Sequence, residues 1–179
     1  MDILLIICLF LATVLLADLI SGLVHWFEDA YAKPNMPLLD RIARENKLHH
    51  DQPRAFLQKN WWQSSYDLLA LGLLIVGVAW WQDVLTVWVW LFVAVVVNAN
   101  QIHKWTHQNR QEKPSIVHYL QKCRVLQTPR EHAKHHSGNK DTHYCVITNA
   151  LNPLLELLHF WQGLEWLVYQ VTGIKRIGA

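Results

Sequence analysis

Eight of the eleven histidines in this 179-residue chain gather in four stretches that are far apart in sequence. They are His25; His49 and His50; His103 and His107; and His132, His135 and His136. Neutral imidazole is the commonest metal ligand among side chains, and helix positions i and i+4 lie on one face, about 5–6 Å apart. His103 with His107, and His132 with His135 or His136, are therefore each spaced to hold one metal ion. Asp29 stands four residues after His25, positioned to add an oxygen ligand or to orient an imidazole from behind. Imidazole suits iron, zinc, copper and nickel alike, so ligand type alone leaves the metal open. Number is more selective. Eight nitrogens exceed what one four-coordinate zinc ion uses, and no HExxH motif is present. Two metals with open positions for a small ligand such as dioxygen fit the count, which points to a di-iron centre. His118, His143 and His159 have no partner at ligand spacing and read as structural or solvent-facing.

These ligands need elements to position them, and the composition says which. The chain is 52% hydrophobic and 17% charged, with ten tryptophans and a formal charge of +2. That is too apolar for a disordered segment, and too weakly basic for a surface that neutralises nucleic-acid phosphates. The length suits one domain, residues 1–179, without repeats or long linkers. Cys8, Cys123 and Cys145 form no CxxC pair and read as reduced thiols used in packing.

A membrane-crossing helix needs about 20 apolar residues. Ile3 to Trp26 qualifies, interrupted by Asp18 and Ser21. With Asp2 in place of a basic leader, and no small-residue cleavage pattern after it, this run reads as retained. A second apolar region runs from Leu68 to Asn100 and divides at Trp80, Trp81, Gln82 and Asp83, giving a hairpin and three spans in all. The first hairpin helix, from Asp67 to Trp81, is short for a span, so an extension back through Trp61, Trp62 and Tyr66, or a shallow seat, is expected. Lysines and arginines cluster between spans one and two and again after span three, which puts both segments, and all eight histidines, on the cytoplasmic face. A C-terminal helix capped by Asn152, with Pro153 in its first turn, should run to Gly173. It sets Glu156, His159, Gln162, Glu165 and Gln170 against Leu154, Leu155, Leu158, Trp161, Leu164 and Val168, the pattern of an interfacial helix. The fold class is all-α: an integral-membrane bundle of about three spans, with cytoplasmic histidine-bearing helices and a C-terminal interfacial helix.

Several runs together resemble one family: Gly22-Leu23-Val24-His25-Trp26 with Asp29, Asn100 through His107, His132-Ala133-Lys134-His135-His136, and Tyr144-Cys145-Val146-Ile147-Thr148. Over residues 17 to 175 the chain resembles the lipid desaturases that include plasmanylethanolamine desaturases, the bacterial CarF proteins and a plant plastid desaturase acting on phosphatidylglycerol. The resemblance implies a membrane-bound, iron- and O2-dependent enzyme that removes two hydrogens from a chain of an intact phospholipid. Conversion of a plasmanyl to a plasmenyl (vinyl ether) lipid, near the headgroup, is the expected reaction. The eight histidines match the family's histidine motifs, and Asp29 an acidic position beside the first. Lys59 stands where some animal members have a further histidine, so that position is no obligatory ligand. The chain carries no ubiquitin-conjugating-like extension. It also lacks a dinucleotide, haem or iron–sulfur motif, so electrons must come from an external donor of cytochrome b5 or ferredoxin-like type. A bacterial inner membrane or its equivalent is the expected location. Competing readings are an acyl-chain phospholipid desaturase, a hydroxylase of the histidine-box superfamily, and a non-enzymatic histidine-rich zinc-binding membrane protein.

Overall fold

A computed structural model describes residues 2–177 except Leu38 and Asn139. Among the described residues there are nine α-helices, two short 3-10 segments and no strand. The helices are α1 (Ile3–Tyr31), α2 (Asp40–Asp51), α3 (Trp61–Trp81), α4 (Val87–Val97), α5 (Ala99–His107), α6 (Ser115–Lys122), α7 (Pro129–His135), α8 (Leu151–Leu157) and α9 (Phe160–Thr172).

Two of them, α1 and α3, are long and apolar enough to cross a membrane. Only 11% of the most apolar stretch of α1 and 22% of that of α3 is buried, whereas the core helix of a soluble protein would be mostly covered. Trp80 and Trp81, at the end of α3, are 72% and 75% exposed. The hairpin helix does run back through Tyr66 and Trp62. It starts at Trp61 because Asn60 caps it, its side chain accepting from Gln63 N while the Gln63 side chain accepts from Asn60 N.

The expected third span is divided. α4 has 11 residues, about 17 Å of helix, and the chain turns at Asn98 into α5. Asn98 reaches back to the Ala94 carbonyl at 2.9 Å and accepts from the Trp61 indole at 3.1 Å, which ties the turn to the start of α3. α4 packs between α1 and α3. At Gly72 a Cβ would lie 2.8 Å from Val93 Cγ1 and 2.9 Å from Val97 Cγ2, so the absent side chain is what lets α3 and α4 close up.

The C-terminal helix also departs from expectation. Asn152 is not its cap but a wholly buried residue inside α8, where its amide accepts from Cys145 N at 3.0 Å and donates to Cys145 O at 2.8 Å. The helix then breaks at His159, which adopts left-handed backbone (φ 49°), and restarts as α9, ending at Gly173 (φ 70°) as read. The break rotates the apolar stripe out of register. Leu155 and Trp161 are buried in the body, while Leu154 and Leu158 face outward with Leu157, Trp166, Leu167 and Val171. Of the three free cysteines only Cys145 is buried; Cys8 and Cys123 are exposed.

Candidate metal centre

Four helices deliver the histidines. His25 and Asp29 sit one turn apart on α1, and His49 and His50 end α2. His103 and His107 are one turn apart on α5. The short α7 begins at Pro129 behind Thr128, whose hydroxyl accepts from Glu131 N at 3.2 Å, and presents His132, His135 and, at its cap, His136. On α1, α5 and α7, pairing i with i+4 turns two side chains toward one point, whereas the adjacent His49 and His50 of α2 diverge.

The eight histidines and Asp29 separate into two adjoining groups, with the candidate ligand atoms of each within 4.8 Å of one another. One is His49, His103, His107, His132 and His136; the other is His25, Asp29, His50 and His135. In the first, His103 Nε2 lies 2.9 Å from His132 Nε2 and 3.3 Å from His107 Nε2, and His136 Nε2 lies 3.0 Å from His132 Nε2. Nitrogens held about 2.0–2.1 Å from a shared ion stand roughly 3 Å apart, so this spacing fits a metal. In the second, Asp29 Oδ1 is 2.9 Å from His50 Nε2, and Asp29 Oδ2 is 3.1 Å from His135 Nε2 and 3.8 Å from His25 Nε2.

The surrounding protein orients these rings. His25 Nδ1 donates to the Tyr144 carbonyl at 3.0 Å and His135 Nδ1 to the Thr142 carbonyl at 2.7 Å, which leaves each Nε2 lone pair turned inward. Asn46 donates to Asp29 Oδ1. Buried polar atoms are nearly always hydrogen-bonded. Here the Nε2 of His25 and of His135, both nitrogens of His49, and Asp29 Oδ2 are buried without such a bond. A cation in each group would satisfy the Nε2 atoms of His25 and His135, Asp29 Oδ2 and one nitrogen of His49. Burial, and then the neighbouring imidazoles, hold His49, His103 and His132 far below the usual histidine range, His107 at about 4 and His136 at about 2. These rings are therefore neutral at neutral pH, the form in which imidazole can ligate a metal.

The backbone that presents Tyr144 is an irregular buried segment, Tyr144–Thr148, and such a segment must have its polar groups met by side chains. Asp18 accepts from Ile147 N at 2.8 Å, Thr148 N at 3.0 Å and Thr148 Oγ1 at 2.6 Å. Gln127 donates to Cys145 O at 2.6 Å, and Asn152 serves Cys145 from the other side. At Gly22 a Cβ would come within 2.6 Å of Cys145 Sγ, so α1 and this segment touch because that side chain is missing. By residue type alone Asp18 is only an interruption of an apolar run, and Gln127 and Asn46 carry no signal. The available signal was a carboxylate in an apolar run, which requires a partner somewhere in the fold.

His25, His49 and His103 also line an open cavity of about 170 Å³ between α1, α2, α3 and α5. Its wall has an apolar portion, with Ile20, Leu68, Leu71 and Val96, and a charged portion, with Glu28, Arg41, Glu45, Lys59 and Asp67. Lys59 belongs to neither ligand group; its ammonium is 2.6 Å from Glu45. His143 lies outside both groups as well, its Nε2 3.2 Å from Glu131.

Helices that converge eight imidazoles and a carboxylate beside a cavity with apolar and charged walls form a candidate metal centre of the histidine-rich class. The chain belongs to the lipid desaturase family, whose domain matches residues 14–177. It is 32% identical over 163 residues to a probable fatty acid desaturase of Acanthamoeba polyphaga mimivirus, covering 90% of this chain and 81% of that one. It is 30% identical over 177 residues to plasmanylethanolamine desaturase 1 of Mus musculus, covering 92% and 65%. With the chloroplastic fatty acid desaturase 4 of Arabidopsis thaliana it shares 26% over 164 residues, covering 90% and 51%. The chain thus spans four fifths of the viral relative's length, and between half and two thirds of the mouse and plant relatives'. No solved structure matches it.

Proposed function

We propose that this protein is a membrane-embedded, O2-dependent lipid desaturase with two iron ions, which forms a double bond near the headgroup end of a phospholipid chain, in the first instance plasmanyl to plasmenyl. The observation that carries the reading is the opening of both ligand groups, through His25, His49 and His103, onto a cavity that is apolar in one part and charged in another. An amphiphile fits such a wall; a small polar solute or a metal ion in transit does not need it.

His49, His103, His107, His132 and His136 would hold one iron, and His25, Asp29, His50 and His135 the other. Bound iron would supply dioxygen activation to an oxidant strong enough to break an unactivated C–H bond, which no side chain provides. The protein contributes placement. Ile20, Leu68, Leu71 and Val96 exclude water from the chain of the lipid, while Arg41 and Lys59 face the zone where a phosphate would lie. Holding the chain in one pose beside the ligand groups determines which carbons react. The Tyr144 and Thr142 carbonyls keep His25 and His135 in one tautomer throughout.

The membrane arrangement supports the same reading. α1 is about 44 Å long against about 30 Å of hydrocarbon, so a span beginning at Ile3 ends near Gly22 and carries His25 and Asp29 just beyond it. α3 would supply the second crossing and α4, up to the turn at Asn98, the third, so that α5 and the other histidine-bearing segments lie at the cytoplasmic boundary. Electrons would come from a separate protein of cytochrome b5 or ferredoxin-like type.

Lipid mass spectrometry of a desaturase-free host expressing the protein, fed an alkylglycerol, tests this beside a His136→Ala control. An acid-labile ether lipid lighter by two hydrogens, in the wild type alone, is the expected result. Loss of two hydrogens confined to acyl chains would reassign the substrate, and a gain of oxygen would make the protein a hydroxylase. Zinc without iron in a folded protein that alters no lipid would overturn the enzyme reading.

A further inference from the structure

One side of the ligand cluster continues into a row of aromatic rings. Tyr144 has its ring centroid 5.1 Å from His135 and 5.8 Å from His25. Trp161 follows at 4.9 Å from Tyr144, and Trp26 at 6.4 Å from Trp161, nearly parallel to it. Tyr144 and Trp161 are wholly buried and Trp26 is 7% exposed. Phenol and indole are the side chains most readily oxidised by one electron, and the lipid cavity does not include these three in its wall.

Their polar atoms distinguish the three rings. The Tyr144 hydroxyl donates to the Lys140 carbonyl at 3.2 Å, an acceptor that takes up no proton. The Trp161 indole N–H is buried with no hydrogen-bond partner. The Trp26 indole alone donates to a carboxylate, Glu165 Oε1 at 3.4 Å, which also pairs with Arg176 at 3.5 Å and whose side chain is 19% exposed. Loss of an electron makes the indole N–H far more acidic, so the radical settles where a base waits for its proton.

We propose that Tyr144, Trp161 and Trp26 form an electron-transfer row that discharges an oxidising metal centre when no lipid is in place. The inference rests on the desaturase reading. In each discharge the metal centre gains one electron through Tyr144 and Trp161, Trp26 loses one, and the Trp26 N–H proton passes to Glu165. A one-electron donor of the kind that serves the enzyme then restores Trp26, with return of the proton. Packing alone would account for buried rings, but not for a carboxylate on the last indole and none on the others.

The experiment uses full-length protein in detergent, loaded with iron, chemically reduced and exposed to oxygen without lipid. Oxygen uptake, electron paramagnetic resonance and peptide mass spectrometry are read on the same samples. The expected result is an iron-dependent neutral tryptophan radical, with oxygen adducts concentrated at Trp26. Trp161→Phe, which keeps a ring in the stack, should lower the Trp26 adducts severalfold without lowering iron content. Glu165→Gln should change the radical to the protonated cation form, which loss of packing would not do. Oxygen uptake with Trp26 unmodified, or modified equally in Trp161→Phe, overturns the row and leaves the desaturase reading standing. Absence of any iron-dependent oxygen uptake removes both.

Discussion

His135 and His136 are neighbours in the chain, yet their imidazoles serve different ligand groups. His136 Nε2 lies 3.0 Å from His132 Nε2, while His135 Nε2 lies 3.1 Å from Asp29 Oδ2 on another helix. The two ring centroids are only 5.4 Å apart, and α7, like α2 with His49 and His50, serves both groups. Single substitutions should therefore be separable by metal count. On the proposed two-iron reading, His135→Ala or Asp29→Ala should lower bound iron from about two to about one per chain, and His103→Ala should remove the other equivalent. Each should cost on the order of 100-fold or more in activity. Asn46→Ala, which removes only the donor to Asp29, should weaken metal binding by roughly 10–100-fold. Elemental analysis and metal titration check both; equal loss of both metals from every variant would contradict the division.

Asp18 holds three buried donors of the Ile147–Thr148 segment. Asp18→Ala strands all three, and each unsatisfied buried group costs about 1–3 kcal/mol. A fall of at least about 3 kcal/mol, or roughly 6–12 °C in melting temperature, is expected. Because that segment presents the Tyr144 carbonyl to His25, metal affinity should fall with stability. Thermal unfolding with and without iron measures the two effects together.

Gly22 gives a test of close packing by rescue. A Cβ there would meet Cys145 Sγ at 2.6 Å, Cys145 N at 3.2 Å and Trp161 Cη2 at 3.2 Å. Gly22→Ala should destabilise by about 1–3 kcal/mol through overpacking. Adding Cys145→Ala removes the nearest clashing atom, so the double variant should regain part of the melting temperature lost by Gly22→Ala.

The buried imidazoles set the pH response of metal-free protein. His107 titrates at about 4 and His136 at about 2 in the fold, against 6.5 unfolded, both displaced chiefly by burial. Between pH 6.5 and about 4 the unfolded chain binds more protons than the folded one, so stability is intact above 6.5 and falls as pH drops through that window. Each such histidine contributes up to about 1.4 kcal/mol per pH unit. Melting temperatures of metal-stripped protein across this range should decline with acidity, and His136→Gln should make the decline shallower.

Much of the apparatus was legible from residue type and spacing. A run of apolar residues longer than a bilayer is thick can only be a helix, and i, i+4 histidines on a helix share a face whatever surrounds them. Such local rules leave the extension of α3 to Trp61 as one of two alternatives that the structure decides, but the candidate ligands and the all-helical class follow from them. The partition of nine ligands did not, because His49 and His50, or His135 and His136, are equivalent by spacing and are told apart only by where four helices cross. Nor could spacing foresee the turn at Asn98 or the break at His159. Asn98 is held by Trp61 from another helix, and Asn152 spends its side chain on Cys145 instead of capping its own helix. Local propensity yields at those positions to hydrogen bonds between distant segments, and only the tertiary structure decides which distant segments meet.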